Sequence, residues 1–224
     1  MSDRDPKTGG GRPVANTATK ALSLLILAVI AALVVWAKPS IGMLLAGAIW
    51  LGFLVFWSVT AKDQGSRKTE ESRKSRAFHE LLLNLGLVLL FTWIPRLDAR
   101  FLPPSRWNVP VGLGIMVAAT LFHVWARVHL GKNWSSPVMI KTGHELVRTG
   151  PYRFVRHPIY TAILALAIGT TIVSGRWMSL AGAGVFAFAY VRKLRMEEGA
   201  LAETFGSAWD DYRKHSSALV PWVY

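Results

Sequence analysis

Six long stretches of sequence contain no charged residue, and they constrain the fold of this chain more than any other feature. They cover residues 21–37, 39–61, 81–95, 107–126, 158–175 and 177–191. A helix that crosses a bilayer needs roughly 17–25 mostly apolar residues, and four of the stretches reach that length. The two 15-residue stretches would have to be extended at their ends or tilted against neighbouring helices. We therefore predict an all-α, polytopic integral membrane protein with about six transmembrane helices.

The composition supports a membrane protein and excludes several kinds of site. Of the 224 residues, 52% are hydrophobic and 17% are charged, whereas soluble domains have about 25% charged residues. The chain has no cysteine, which excludes disulfides, thiolate metal sites and a cysteine nucleophile. The spacing of His, Asp and Glu is not typical of a metal site, so we predict none.

Basic residues are distributed unevenly among the segments that connect the apolar stretches. Residues 1–20, 62–80, 127–156 and 192–214 together hold 21 of the 26 Lys and Arg residues. The positive-inside rule places these segments in the cytoplasm, so both termini of a multi-pass inner- or plasma-membrane protein would be cytoplasmic. This topology and attraction to anionic membrane lipids explain the net charge of +13, and we predict no nucleic-acid partner.

Polar functional groups are concentrated in residues 127–160 and 192–224, at the cytoplasmic end of one predicted helical hairpin. Pro158 suits the first turn of a helix, whose free N–H groups can bind a carboxylate. Lys193 and Glu197 would share one helix face. Each residue also has a simpler interpretation, because Arg156 could anchor a helix end at lipid headgroups and Glu197 could pair with a nearby basic residue. Together they predict a cofactor pocket that faces the cytosol.

Two separated motifs within these segments resemble the signature of a known family. The first is GHELVRTGPYRFVRHPIY over residues 143–160. The second consists of Glu197 and Glu198 followed by Leu201, Phe205, Gly206, Tyr212 and Pro221. Both motifs resemble those of the isoprenylcysteine carboxyl methyltransferase (ICMT) family, which shares a membrane fold with phospholipid N-methyltransferases. The resemblance covers about residues 107–224.

This resemblance implies a transfer of methyl groups from S-adenosyl-L-methionine (SAM) to a lipophilic acceptor that enters from the membrane. The residues that it places at the cofactor are His144, Glu145, Leu146, Val147, Tyr152, His157, Pro158, Ile159, Tyr160 and Glu197. The candidate catalytic residues are Arg156, Lys193 and Glu198. Lys193 stands at the substrate position, where eukaryotic members have Arg, and Ala162 stands where Gly is common. The ammonium group of a lysine binds a carboxylate with less geometric specificity than the planar guanidinium of an arginine does.

The composition, the apolar stretches and the resemblance together divide the chain into three predicted parts. Residues 1–20 form a flexible cytoplasmic tail, residues 21–106 form N-terminal transmembrane helices, and residues 107–224 form an ICMT-like methyltransferase core. The acceptor remains open at this point, because carboxylate, thiolate and amine nucleophiles are all compatible with the motifs. An amine would have to lose a proton first, and Glu198 or His157 could accept it.

We accordingly weighed several functions. The first is an isoprenylcysteine carboxyl O-methyltransferase, and the alternatives within enzymes are a phospholipid N-methyltransferase and a small-thiol S-methyltransferase. A non-catalytic membrane protein that binds cofactor or lipid is the alternative outside enzymes. A transporter is disfavoured, because the apolar stretches carry no charged residues at their centres and show no inverted repeat.

Overall fold

The computed structural model describes residues 40–60, 67–93, 99–134, 139–141 and 145–221. Most of the described residues are helical, as predicted. The α-helices are α1 (Ile41–Thr60), α2 (Arg73–Phe91), α3 (Asn108–Leu130), α4 (Pro158–Ser174), α5 (Trp177–Phe205) and α6 (Ser207–Lys214). The predicted tail, the first apolar stretch (residues 21–37) and His144 lie outside the described residues.

Four short elements accompany the described helices. Gly131–Asn133 and Gly150–Arg153 form 3₁₀ turns, and the second turn lies within the first motif. Two strands, β1 (Arg67–Glu70) and β2 (Met139–Lys141), form an antiparallel ribbon. This ribbon was not predicted from the sequence, and it joins two segments that are both rich in polar residues and lie far apart in the chain.

Two of the described helices are long and apolar enough to cross a membrane. They are α1, with mean hydropathy 2.0, and α3, with mean hydropathy 1.8. α4 is apolar but shorter, at 17 residues. Large apolar side chains remain exposed on both long helices, including Leu51 on α1 and Leu121 on α3, as expected for surfaces that face lipid. The count of six spans and their orientation stay predictions.

Glycines allow two pairs of helices to approach closely. A Cβ atom added to Gly112 of α3 would lie 2.6 Å from the carbonyl oxygen of Gly169 in α4. A Cβ atom added to Gly182 of α5 would lie 2.8 Å from the carbonyl oxygen of Gly86 in α2. Such contacts between backbones leave no room for a side chain and are typical of helix packing in lipid.

The last long helix continues well beyond its apolar part. The apolar stretch ends at residue 191, whereas α5 continues without a break to Phe205. Gly206 then adopts a positive φ of 51°, which ends α5 and separates it from α6. Because α5 is continuous, Lys193 and Glu197 are held in fixed register one turn apart.

The chain after α6 returns to the start of α4. We call residues 215–221 the C-terminal segment. The N–H groups of Arg156 and His157 donate hydrogen bonds to the carbonyl oxygens of Ser217 (2.8 Å) and Ala218 (3.1 Å). The hydroxyl of Thr161 donates to the carbonyl oxygen of Leu219 at 2.7 Å. These bonds fix the residues that immediately precede α4, where the first motif ends.

Candidate active site

A pocket lies where the start of α4, the part of α5 after its apolar half, and α6 converge. Its volume is about 850 Å³, which includes the open space at its mouth. The pocket brings together most of the residues that the sequence placed in a site. The predicted residues that line it are Glu145, Leu146, Val147, Tyr152, Arg156, His157, Pro158, Ile159, Tyr160, Lys193 and Glu197. Both motifs thus meet in one place, as the sequence predicted.

Several lining residues were not predicted. They are Trp57, Leu130, Asn133, Trp134, Ala200, Leu201, Trp209 and Tyr212. Leu201 and Tyr212 belong to the second motif but had no assigned role, and Asn133 and Trp134 lie in the polar segment already noted. Trp57 comes from α1, where nothing in the apolar stretch distinguished it from a residue that faces lipid. Its ring packs edge-on against that of Trp134, with centroids 5.2 Å apart.

The Gly150–Arg153 turn positions one wall of the pocket. Gly150 has a positive φ of 59°, and a Cβ atom there would lie 2.7 Å from the ring of His129. Only glycine satisfies both conditions. Tyr152 follows and is buried, and its carbonyl oxygen accepts a hydrogen bond from the hydroxyl of Tyr212 at 2.6 Å. This bond connects the turn to α6.

His157 lies between the two glutamates of the second motif. Its Nδ1 is 3.6 Å from Glu197 Oε2, and its Nε2 is 3.4 Å from Glu198 Oε1. The hydroxyl of Tyr160 donates a hydrogen bond of 2.5 Å to the same oxygen of Glu197. The rings of His157 and Tyr160 are stacked, with centroids 5.2 Å apart and planes 4° apart. One edge of the pocket is therefore a compact group of two carboxylates, an imidazole and a phenol.

Arg156 connects this group to the C-terminal segment. Its Nε donates a hydrogen bond of 2.8 Å to Glu198 Oε1, and its Nη1 donates to the carbonyl oxygens of Ser216 and Arg213. The guanidinium is buried, and the three hydrogen bonds just described are all to groups of the protein itself. The sequence analysis named Arg156 as a candidate catalytic residue, and its guanidinium pairs here with Glu198. Glu198 lies behind the pocket wall and does not line it.

Lys193 lies one turn before Glu197 on the same face of α5, as the i, i+4 spacing predicted. It is only 8% exposed, and its Nζ lies 5.9 Å from the ring centroid of Tyr160. Burial lowers the pKa of Lys193, and the carboxylates of Glu197, Glu71 and Glu80 oppose this effect. The pocket therefore places a cationic and an anionic side chain side by side.

The charges of the group reinforce one another. Burial alone would raise the pKa of Glu197, but the nearby His157, the hydrogen bond from Tyr160 and the charge of Lys193 hold that pKa at about 2. Burial alone would lower the pKa of His157, yet the two carboxylates outweigh it and raise that pKa above 6.5. The Glu197 side chain retains 36% exposure and lines the pocket. An ionised carboxylate is thus available to a cationic ligand.

These shifts predict how the stability of the protein depends on pH. The raised pKa of His157 contributes stability that is present below pH 6.5 and is lost as the pH rises through the folded-state value. The lowered pKa of Glu197 contributes stability that is present above pH 4.5 and is lost as the pH falls toward about 2. We expect the unfolding temperature in detergent, measured by tryptophan fluorescence, to decline at both alkaline and acidic pH.

Three substitutions assign these two effects to their residues. His157→Gln should flatten the decline on the alkaline side, and Glu197→Gln should flatten the decline on the acidic side. The control is His215→Gln, because His215 is exposed and lies outside the pocket. If the control flattened the alkaline decline as much as His157→Gln does, the link to His157 would be wrong.

Comparison with known proteins identifies the class of protein to which this pocket belongs. Residues 112–203, which extend from α3 through most of α5, match the family model described as the isoprenylcysteine carboxyl methyltransferase (ICMT) family. That family is one of membrane methyltransferases. The matched residues lie within residues 107–224, the part of the chain that carries the resemblance found in the two motifs.

Individual relatives share part of the chain. The protein-S-isoprenylcysteine O-methyltransferase of Schizosaccharomyces pombe is 30% identical over 115 residues, which are 50% of this chain and 48% of that protein. Methanethiol S-methyltransferase 1 of Bradyrhizobium diazoefficiens is 27% identical over 170 residues, 66% of this chain and 54% of that protein. The chain therefore spans about half the length of each. A solved structure of the eukaryotic intramembrane Ras methyltransferase ICMT matches with TM-score 0.49 and 14% identity, covering 92% of this chain and 95% of that one.

Proposed function

We propose that this protein transfers a methyl group from SAM to a lipophilic acceptor held in the membrane. The observation that carries the proposal is the convergence of both family motifs on one pocket, with the ionised Glu197 exposed into it. SAM carries an ammonium, a carboxylate, a sulfonium and an adenine ring. A pocket that binds it therefore needs an anion, N–H donors and aromatic or apolar surface.

The residues present in the pocket fit these requirements. Glu197 supplies the anion for the ammonium group, and the first turn of α4 supplies free N–H groups and partial positive charge for the carboxylate. Tyr152 and Tyr160 supply aromatic faces, which attract cations such as a sulfonium. Leu146 and Val147 add apolar surface. When bound, SAM supplies a methyl group that is activated by the positive charge on sulfur.

Other side chains of the pocket act on the methyl acceptor. Lys193 places a positive charge beside Glu197, where it can orient an anionic carboxylate or thiolate nucleophile. Trp57 and Trp134 provide a large apolar surface on the side of α1, where a hydrocarbon group can exclude water. Fixing two reactants in line contributes roughly 7–11 kcal/mol to lowering a barrier. Neither a carboxylate nor a thiolate nucleophile requires a general base.

The test is methyl transfer from labelled SAM by the purified full-length protein. The acceptors are a farnesylated cysteine with a free carboxylate, a short alkyl thiol and phosphatidylethanolamine, each assayed separately. A base-labile product from the farnesylated cysteine would support carboxyl O-methylation. The small-thiol alternative is supported by the methanethiol methyltransferase relative, and it predicts a volatile, base-stable thioether. Absence of both SAM binding and transfer to every acceptor would overturn the proposal.

Lys193→Ala tests whether Lys193 acts on the methyl acceptor rather than on SAM. Because Lys193 is proposed to orient the nucleophile, we expect kcat/KM for the acceptor to fall about 10- to 100-fold, as for loss of one charge-assisted contact. The dissociation constant for SAM should change less than threefold. Arg195→Ala is the control, since Arg195 is exposed on the same helix and does not line the pocket. The reverse order of effects would move Lys193 to the cofactor.

A further inference from the structure

A second groove lies on the C-terminal segment, outside the proposed methyl-transfer pocket. Its volume is about 610 Å³, which includes the open space at its mouth. Residues from two separate parts of the chain line it: Arg153 and Phe154 precede α4, and Lys214, His215 and Ser216 follow the main part of α6. The proposed reaction uses none of these side chains, so the groove needs a separate explanation.

The groove is positively charged. Arg153 and Lys214 are both exposed, and neither makes an ion pair with any residue in the described ranges. No carboxylate lines the groove. The acidic residue beside it, Asp211, lies 3.7 Å from His215 Nδ1 and also pairs with Arg148 at 3.2 Å. Two basic side chains are thus left to attract an anion.

Apolar side chains lie in and beside the same groove: Phe154 and Pro221 line it, and Val220 directly precedes Pro221 in the chain. Phe154 is 51% exposed directly after Arg153, and Val220 is 50% exposed in the C-terminal segment. Both lie next to the start of α4, where the apolar part of that helix begins. Exposed aromatic and aliphatic side chains beside basic ones are typical of residues at the boundary between headgroups and acyl chains. The positive-inside rule predicts that this end of α4 is cytoplasmic, and that leaflet is rich in anionic lipids.

We propose that this groove binds the headgroup of an anionic phospholipid from the surrounding bilayer. Arg153 and Lys214 contact the phosphate, while Phe154 and Val220 contact the region of the acyl chains. A lipid is favoured over a free anion because the apolar border would otherwise face water, and because a membrane protein is surrounded by lipid at high effective concentration.

A bound headgroup would also affect the neighbouring pocket. The C-terminal segment accepts hydrogen bonds from the N–H groups of Arg156 and His157. A lipid that holds this segment in place would therefore stabilise the residues at the start of α4. This stabilisation would change the unfolding temperature. The change depends on the fold and the bound lipid, and it does not require methyl transfer.

The experiment is native mass spectrometry of the full-length protein in neutral detergent, without SAM or acceptor. Phosphatidylglycerol and phosphatidylcholine with identical acyl chains are titrated in parallel. We expect tighter binding of phosphatidylglycerol. The double variant Arg153→Ala/Lys214→Ala should weaken it by about 10- to 30-fold, since each basic residue near an anionic lipid has an effect equivalent to several-fold in affinity. An unchanged unfolding temperature in lipid-free detergent would show that the variant is folded.

The control variant, Arg195→Ala/Arg213→Ala, removes the same amount of charge at exposed positions that do not line the groove. The double variant Arg153→Lys/Lys214→Arg keeps the charge and should retain binding. The proposal is overturned if the two lipids bind equally or if the control loses as much affinity as the groove variant. Displacement of phosphatidylglycerol by millimolar inorganic phosphate would instead identify a site for free anions, which would also overturn it.

Discussion

Replacing Glu197 with glutamine is expected to weaken SAM binding on the order of 100-fold. Glutamine keeps the size of the side chain and can still accept the hydrogen bond from Tyr160, but it removes the negative charge that the pocket presents. That charge is present at neutral pH because the pKa of Glu197 is held at about 2. The cationic ligand would lose its counter-charge, and His157 would keep Glu198 alone as its anionic neighbour.

Binding of labelled SAM to the detergent-purified protein measures this effect directly. Glu203→Gln is the matched control, because Glu203 is exposed on the same helix and does not line the pocket. Glu197→Ala should lose binding as well, and the unfolding temperature of both variants checks that they are folded. If Glu197→Gln bound SAM as tightly as the wild type, Glu197 would not belong to the cofactor site.

Local sequence rules predicted several features that the structure contains. Proline at the first helical position marked the start of α4. The spacing of four residues put Lys193 and Glu197 on one face of the helix. Each of these depends on a few neighbouring residues. The β1–β2 ribbon depends instead on pairing between segments about 70 residues apart in the chain, which no local pattern encodes.

The composition of the site was more predictable than its internal arrangement. The motifs named most of the lining residues, but they placed both Glu197 and Glu198 in the site. On a helix, consecutive residues point about 100° apart. Glu197 therefore lines the pocket while Glu198 meets Arg156 behind it, and His157 lies between them. The contribution of Trp57 was not predictable, since the packing of α1 against the rest of the protein decides which of its faces is covered.

Arg156→Ala is expected to destabilise the protein and to release the C-terminal segment from the start of α4. The buried guanidinium joins Glu198 to two backbone carbonyl groups of that region. Breaking a buried ion pair from one side costs about 3–5 kcal/mol, because the remaining charge loses its partner. For a chain of this length, that corresponds to a decrease in unfolding temperature of about 6–20 °C. Hydrogen exchange should accelerate in the amides of residues 213–219.

Two further variants separate the roles of charge and geometry at Arg156. Arg156→Lys keeps the charge but has a single nitrogen, which cannot reach Glu198 and both carbonyl groups together. We expect it to recover part of the unfolding temperature while exchange in residues 213–219 stays fast. Glu198→Gln should leave the bonds from Arg156 to the two carbonyl groups and should therefore preserve slow exchange. If Arg156→Ala left exchange in this segment unchanged, the backbone bonds of Arg156 and His157 would be sufficient to hold the segment, and the guanidinium would act on Glu198 alone.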